Sequence, residues 1–258
     1  MVKNLQLSIF IISFLSFLNN GFAKDVILVA DDWCPYNCLP TDKDPGYMIE
    51  IVIESFKLFG NGEKVVYKLM PWPRAVKEVR SKRVDGLVAA VESDAVGLHK
   101  PEPHQGMWVS NIFTHPETTW KYKDVFQLKN SKKRVGVIKG YDYGPEFMKF
   151  ITENPKQVFI SHGDKPLTVL INSLKMRRLE LLVEDKFVFW YNVKMRKIPK
   201  KTFKSVGVVG KFQKLYIAFH NKKYSDIVAK GMVALRKSGK LKEILAKYNL
   251  KDWAPDKK

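Results

Sequence analysis

The sequence predicts an α/β protein made of two lobes, each lobe built on its own sheet. Strand-like and helix-like patterns alternate along the chain, which favours α/β architecture. A β-α-β-α-β pattern occupies the first part of the chain, and a similar pattern starts again near residue 134. Ligands of open α/β sheets bind beyond the carboxyl ends of strands, so a cleft between the lobes is the expected binding site.

The first unit opens with the apolar strand Val26–Ala30. The helix that follows is predicted from the periodic spacing of Met48, Ile51 and Phe56, which places them on one face. Gly60 is expected to end this helix. The predicted elements of the first unit are strand 26–30, helix 47–59, strand 65–69, helix 71–83 and strand 85–91.

The second unit repeats this order and is followed by a return to the first lobe. Leu167, Leu170 and Leu174 recur at helical spacing, and an apolar run before Asp185 predicts a buried strand. The predicted elements are strand 134–138, turn 140–144, helix 145–152, strand 158–160, helix 165–178, strand 179–185, strand 214–219, and helices 225–237 and 240–248.

Residues 1–23 have the pattern of a cleavable signal peptide. Lys3 precedes an apolar run that is short for a membrane span, and small residues end the segment at Ala23. Cleavage is therefore expected after Ala23, which would release the protein into the periplasm. The alternative is a membrane anchor that is retained. A lipid anchor is not expected, because no cysteine lies at the cleavage site.

The 258 residues carry a formal net charge of +19, and 45% of them are hydrophobic. This composition supports folded cores. A strongly basic protein can bind nucleic acid or anionic ligands. However, the lysines are scattered and are not interleaved with aromatic residues, so a solvated basic surface is favoured and no nucleic-acid partner is expected.

Cys34 and Cys38 are the only cysteines, and we expect them to form a disulfide in an oxidising compartment. The bridge would stiffen the loop that carries Trp33 and Tyr36. A zinc site would need three or four ligands, and the five histidines show no ligand spacing around the cysteines. A thioredoxin-like motif would have two intervening residues instead of three. No metal or other cofactor is expected.

Several segments, in this order, resemble the periplasmic solute-binding proteins of the polar amino-acid (family 3) type, the binding components of ABC importers. The segments are 30–36, 46–50, 83–87, 134–140, 179–185 and 235–248. The resemblance implies the class II two-lobed periplasmic binding protein-like fold. It places lobe 1 at 24–118 with 215–258 and lobe 2 at 119–214. Two extended strands near 118–122 and 213–217 would form the hinge.

The resemblance also implies roles for individual residues. Asp185 matches the acid that takes the ligand's ammonium group, and Gly140, Tyr141 and Asp142 match a turn that faces the ligand. Members that hold α-amino acids have an arginine shortly after the third strand, together with hydroxyl side chains at that strand's end. Segment 89–97 has no arginine and has alanines, including Ala90, in place of the hydroxyls.

The residues themselves suggest a replacement for the missing arginine. Arg74, in the first turn of a predicted helix, is a candidate anchor for an anion, with an exposed helix arginine as the alternative. Asp32 lies in the loop after the first strand. Glu92 would favour a cationic ligand unless it is a solvated loop acid. Strand alternation predicts that Glu184 faces away from the pocket.

Four aromatic residues at loop positions are expected to form the walls of the pocket, where rings stack or hold a cation. They are Trp33, Tyr36, Tyr47 and Trp72.

The leading hypothesis is a monomeric binding protein, without catalytic residues, that closes on a small polar or charged solute. It would deliver this small-molecule ligand to an ABC permease of the inner membrane. One alternative is a periplasmic enzyme on the same fold, such as a prephenate-type dehydratase, which would need a positioned acid or base. The other is a ligand-sensing partner of a membrane receptor.

Overall fold

A computed structural model describes residues 24–253, in which eight strands and eight α-helices alternate. The strands are β1 (Val26–Ala30), β2 (Val65–Leu69), β3 (Gly86–Ala90), β4 (Gly106–Thr114), β5 (Val135–Ile138), β6 (Val158–Ser161), β7 (Leu181–Asp185) and β8 (Lys204–Phe219). The helices are α1 (Tyr47–Phe59), α2 (Trp72–Arg80), α3 (Val125–Ser131), α4 (Pro145–Glu153), α5 (Pro166–Lys175), α6 (Lys186–Met195), α7 (Lys222–Lys237) and α8 (Lys240–Lys247). The predicted α/β class is confirmed.

The strands run in the order β2-β1-β3-β8-β4-β7-β5-β6. In the first lobe β1 lies parallel to β2 and β3, and β8 pairs antiparallel with β3. Helix α1 buries Ile51, Val52 and Phe56, while α7 buries Val228 and Met232. These residues belong to the same apolar core as the first-lobe strands. This burial is the main source of the lobe's stability.

The second lobe repeats the parallel pairing. Strand β5 lies between β6 and β7 and is parallel to both, and β7 pairs antiparallel with β4. A separate apolar cluster joins Leu128 of α3, Phe147 and Phe150 of α4, and Val135 and Val183 of the strands. Each lobe therefore has helices packed on its own part of a single eight-stranded sheet, in which β8 connects the two predicted units.

The long strands β4 and β8 join the lobes. Residues 106–108 of β4 pair with residues 213–215 of β8, and residues 110–114 pair with residues 204–209. From Ser110 onward β4 also pairs with β7 of the second lobe. The prediction of a hinge strand at 118–122 is wrong, because these residues form no strand and β4 takes that place. The lobe boundaries at 118 and 215 stay a prediction.

Helix α6 is absent from the sequence prediction, although it follows β7 directly. Its sequence is rich in aromatic and β-branched residues, which favour strands in isolation. Asp185 overrides this preference as the N-cap, since its carboxylate accepts hydrogen bonds from the backbone N–H groups of Phe187 and Val188. The N-cap therefore starts α6 in a segment whose residues by themselves favour a strand.

The predicted disulfide is confirmed, since Cys34 and Cys38 are bonded. The predicted signal peptide, residues 1–23, lies outside the described residues. Among residues 24–253 no helix is long and apolar enough to cross a membrane. In the same part of the chain, no group of histidine, cysteine or acidic side chains is arranged to hold a metal ion.

Candidate functional site: an acidic, aromatic cavity between the lobes

A cavity lies where the two lobes meet beside the connecting strands. It encloses about 350 Å³, including its open mouth. Only about 30 Å³ of this space is open to the centres of water-sized spheres, which is room for one or two waters. A larger solute therefore enters this site only when the lobes move apart. Its lining residues come from both lobes and from β4 and β8: Asp31, Trp33, Trp72, Ala89, Val91, Asp94, Trp108, Tyr141, Asp142 and Leu215.

The loop after β1 supplies Asp31 and Trp33. The Cys34–Cys38 disulfide follows directly, and the backbone N–H of Trp33 donates to the carbonyl of Asn37 across the same tight loop. On the other lobe, Glu184 accepts a hydrogen bond of 2.9 Å from the indole Nε1 of Trp33. The loop is thus closed on itself and tied to the second lobe, which fixes the ring of Trp33 in the cavity wall.

The aromatic walls stand nearly perpendicular to one another. The ring of Trp33 lies 5.6 Å from Trp108 at 77° and 6.4 Å from Tyr141 at 82°. Tyr141 in turn lies 6.3 Å from Trp72 at 81°. These edge-to-face contacts are a favoured aromatic arrangement. They leave ring faces on several sides of the cavity, as sites that hold cations over aromatic faces require.

A register shift at the end of β3 decides which residues reach the cavity. The pairing of β3 with β8 is irregular between Leu87 and Ala90, and Ala89 has φ 61°. Ala89 and Val91 therefore line the cavity, while Ala90 is fully buried outside its lining. Strand alternation alone does not predict this irregularity.

The turn after β5 brings the second lobe against the first. The Tyr141 hydroxyl donates to Asp31 Oδ2 at 2.5 Å, and the Ser93 hydroxyl donates to Asp142 Oδ2 at 2.6 Å. At Gly140, with φ 84°, an added Cβ would lie 2.8 Å from Pro73 Cγ of the first lobe. Glycine is required here both by the backbone conformation and by the close approach.

Burial raises the pKa values of the cavity carboxyls. The pKa of Asp31 rises to about 7, with the charges of Asp32 and Asp94 adding to burial and the Tyr141 hydrogen bond opposing it. The pKa of Asp94 rises to about 6, mainly by burial and further by the charge of Asp142. Charged carboxylates are disfavoured where water is excluded and no cation is near.

Glu184 and Asp185 both lie outside the cavity lining. The carboxylate of Glu184 is behind the cavity wall, where it accepts a hydrogen bond from Trp33. Glu184 is 1% exposed, and its Oε2 atom has no hydrogen-bond partner among residues 24–253. Burial raises its pKa to about 8. Asp185 is equally buried but does not line the cavity, and its carboxylate caps α6.

Of the residues predicted from sequence, the structure brings four together as cavity lining. They are Trp33, Trp72, Tyr141 and Asp142. Gly140 packs at the edge, on Pro73. The other predicted residues lie outside the lining.

Two of the predicted aromatic residues belong to the core behind the cavity. Tyr36 stacks on the outer face of the same loop, with its ring centre 4.4 Å from that of Trp33, and Tyr47 lies 5.4 Å beyond it. Both are 1% exposed. The Tyr36 hydroxyl donates to the carbonyl oxygen of Met107 on β4. Both rings therefore pack behind Trp33, outside the cavity lining.

Three predicted charged residues are exposed. The side chain of Arg74 is 69% exposed, and its nearest acid is Glu78, one helical turn away at 3.9 Å. Glu92 forms an ion pair with Lys100, and Asp32 is exposed in the loop. Arg74 instead lines an outer pocket at the cleft edge, whose members include Asp31, Trp72, Pro73, Lys139 and His162.

Sequence reasoning missed the connecting strands as part of the site. Trp108 on β4 and Leu215 on β8 both line the cavity. Trp108 is 5% exposed, and within residues 24–253 its Nε1 has no hydrogen-bond partner. Asp94 was missed as well. Arg80 holds the loop of Asp94 by donating hydrogen bonds to the carbonyl oxygens of Ser93 and Asp94. Asp31 and Asp94 come just after two predicted strands, and this position in the sequence could have identified them as site residues.

No protein-family model matches the chain, and no curated protein matches it. Solved structures do match. A histidine kinase sensor domain with similarity to periplasmic binding proteins has a TM-score of 0.73 and 17% identity, covering 90% of this chain and 100% of that one. The chain has the two-lobed fold of periplasmic binding proteins. The fold implied by the sequence resemblance is confirmed.

Two further structures with this fold are named for solutes. One describes glutathione import via GshT and the cystine ABC importer TcyBC of Streptococcus mutans, with a TM-score of 0.75, 17% identity, and coverage of 91% of this chain and 98% of that one. The other is the arginine-, lysine-, histidine-binding protein ArtJ from Geobacillus stearothermophilus, with a TM-score of 0.70, 18% identity, and coverage of 90% and 97%. At these identities the likeness shows the fold alone.

Proposed function

We propose that this protein captures a small polar or charged solute between its lobes and delivers it to an ABC permease. The observation that carries the proposal is the cavity lined by both lobes, on a fold shared with solute-binding proteins. A solute held there contacts both lobes at once. Binding therefore favours the closed arrangement over an open one, because only the closed arrangement offers all of the contacts.

The contacts between the lobes support this closing motion. Tyr141 donates to Asp31, Ser93 donates to Asp142, and Trp33 donates to Glu184, each across the cleft. Opening breaks these three bonds while leaving each lobe's own part of the sheet intact. Motion is expected to occur in β4 and β8 between the lobes, as in hinge closure around ligands.

The proposed setting is the periplasm, reached by means of a signal peptide cleaved after Ala23. The Cys34–Cys38 disulfide supports an oxidising compartment. The proposed partners are the solute and an inner-membrane permease that recognises the closed lobes, and the protein is proposed to act as a monomer.

A sensing role is the second candidate. The observation that favours it is the likeness to a histidine kinase sensor domain, which this chain matches over all of that domain's length. In such a role the closed lobes would dock on a receptor instead of a permease. The dehydratase alternative gains no support from the comparisons, since the similar structures are named as binding proteins or as a sensor domain.

A thermal unfolding screen tests solute capture. Amino acids, amines, organic acids and short peptides are added to the purified protein. A bound solute at about 100 times its dissociation constant stabilises the folded state by roughly 2.7 kcal/mol, which raises the unfolding temperature. The expected result is a rise with one chemical class and recovery of that compound unchanged. Conversion of the compound would contradict a binding-only role.

A further inference from the structure

The cavity lining has an uneven distribution of charge. Three of its side chains are acids, Asp31, Asp94 and Asp142. None of its members is a lysine, an arginine or a histidine, although the whole chain has a formal net charge of +19. The sequence places its many cations elsewhere, so the charge of this wall is opposite to the charge of the protein.

We propose that the cavity takes a small organic cation that has no carboxylate, held by Asp31 and Asp94 among the faces of Trp33, Trp72 and Tyr141. This inference rests on the proposed function and names the class of solute for the same site. Three features support it: lining acids that form no ion pair within residues 24–253, the aromatic walls, and a lining without a lysine, arginine or histidine.

Asp31 is the acid that most needs a cationic partner. Its carboxylate accepts a hydrogen bond from Tyr141, and within residues 24–253 no ion pair includes it. Burial and the neighbouring Asp94 raise its pKa to about 7. A ligand cation between the two carboxylates would remove their repulsion, because opposite charges in a site of low dielectric attract strongly.

The aromatic walls suit the same kind of ligand. The rings of Trp33 and Tyr141, and those of Trp72 and Tyr141, meet at 82° and 81°. An ammonium or guanidinium group that lies between perpendicular rings contacts the face of at least one of them. Such contacts strengthen when water is excluded. Carboxylate groups, by contrast, are repelled by the negative ring faces.

The cavity has no anchor for a ligand carboxylate. Arg74 lies in the outer pocket with its side chain 69% exposed, and Arg80 is engaged with the carbonyl oxygens of Ser93 and Asp94. Within residues 24–253, Trp108 Nε1 is a buried donor of the lining without a hydrogen-bond partner, and it is a neutral N–H group. It can serve a hydroxyl, an ether or a carbonyl oxygen of the ligand. It cannot offset the charge of the half-buried Asp31 and Asp94.

Matched pairs of probes isolate the carboxylate. Agmatine is arginine without its carboxylate, and cadaverine is lysine without its carboxylate. Isothermal titration of the purified protein at pH 8 compares the two members of each pair. We expect each amine to bind about tenfold more tightly than its amino acid, or better, because an unpaired buried charge costs at least that much. Equal or tighter binding of the amino acids would overturn the inference.

Two variants locate the effect. Asp31→Asn keeps an oxygen for the Tyr141 hydroxyl but removes the charge, and we expect about a tenfold loss of agmatine affinity. Asp42→Asn makes the same chemical change at an exposed position and should leave the affinity unchanged. Unfolding temperatures confirm that both variants fold. An unchanged affinity in Asp31→Asn would also overturn the inference.

The result separates this inference from the proposed function. If neither amine nor amino acid binds, the cationic class is wrong. A neutral or anionic solute that then binds in a wider screen would still support capture between the lobes. If no solute in the wider screen binds to the folded protein, solute capture itself is contradicted.

Discussion

Two pockets lie side by side in the cleft and share Asp31 and Trp72 as a common wall. The inner one adds Asp94 and Asp142, whereas the outer one adds Arg74, Lys139 and His162. One wall therefore separates an acidic interior from a basic rim. We therefore expect a cationic group of a ligand on the inner side of Trp72 and an anionic group on its outer side. Trp72 borders the acidic inner pocket, whereas Arg74, in the same turn of α2, lines only the basic outer pocket.

The largest contrast in stability is expected between a buried side chain of the inner pocket and an exposed side chain of the outer pocket. Trp33→Ala removes an indole that is 6% exposed and the donor to Glu184, so the free energy of unfolding should fall by about 3–5 kcal/mol. His162→Ala in the exposed outer wall should change it by less than about 0.5 kcal/mol. Urea unfolding measures both. Equal effects would contradict the burial of the inner wall.

The pH dependence of stability should report the inner acids. The pKa values of Asp31, Asp94 and Glu184 are raised to about 7, 6 and 8, so the folded protein binds more protons than the unfolded chain between about pH 4 and pH 8. The free energy of unfolding should therefore fall as the pH rises through this window, by up to about 1.4 kcal/mol per pH unit for each group that is protonated only in the folded protein.

Asp31→Asn provides the control for this pH effect. The variant lacks one of the titrating groups, so its stability should depend less steeply on pH and should exceed that of the unaltered protein at pH 8. Urea unfolding at pH 5 and pH 8 gives the comparison. Stability that rises from pH 5 to pH 8 in the unaltered protein would contradict the account of buried, unpaired carboxyls.

Closure at Gly140 can be tested with a matched pair of glycines. Gly140→Ala places a Cβ 2.8 Å from Pro73 Cγ across the cleft, whereas Gly144→Ala, at nearly the same φ, meets nothing within 4 Å. Both variants carry similar backbone strain. Solute affinity should fall about tenfold in Gly140→Ala alone, because full closure is blocked. Titration calorimetry measures it, and equal losses in both variants would point to strain instead.

The smallest effect is expected at Arg74. Its contact with Glu78 is 3.9 Å long and exposed, and such ion pairs contribute little. Arg74→Ala should change solute affinity by less than about twofold. A loss of tenfold or more would instead support the sequence-based interpretation of Arg74 as the anion anchor, and would shift the ligand toward the outer pocket.

The sequence predicted well those elements whose residues are buried in one lobe. The bounds of β1, α1 and β2 agree with the apolar runs and with the helical spacing of Ile51 and Phe56. β4 was missed because it spans both lobes and buries polar side chains. Ser110 and Asn111 lie in its middle, and Asn111 is satisfied by its own amide donating to Val109 and by the Ser205 hydroxyl. A local hydrophobic pattern in the sequence does not reveal polar side chains that are buried and hydrogen-bonded within a sheet.

The site was only partly predictable for a related reason. Loop residues carry no periodicity, so the sequence did not separate Trp33, which lines the cavity, from Tyr36, which packs behind it. The register shift in β3 brought Ala89 instead of Ala90 to the cavity. At the end of β7, the carboxylate of Asp185 caps α6, a helix that was not predicted from the sequence.

The most direct test of closure on a solute is the distance between the lobes. Spin labels carried by non-natural amino acids at exposed Lys57 on α1 and Lys175 on α5 report this distance without disturbing the disulfide. The account predicts that a solute found to bind in the thermal screen shifts the distribution to one narrow, shorter distance, and that Gly140→Ala reduces the shift. A distribution that stays unchanged while the solute binds would contradict capture between the lobes.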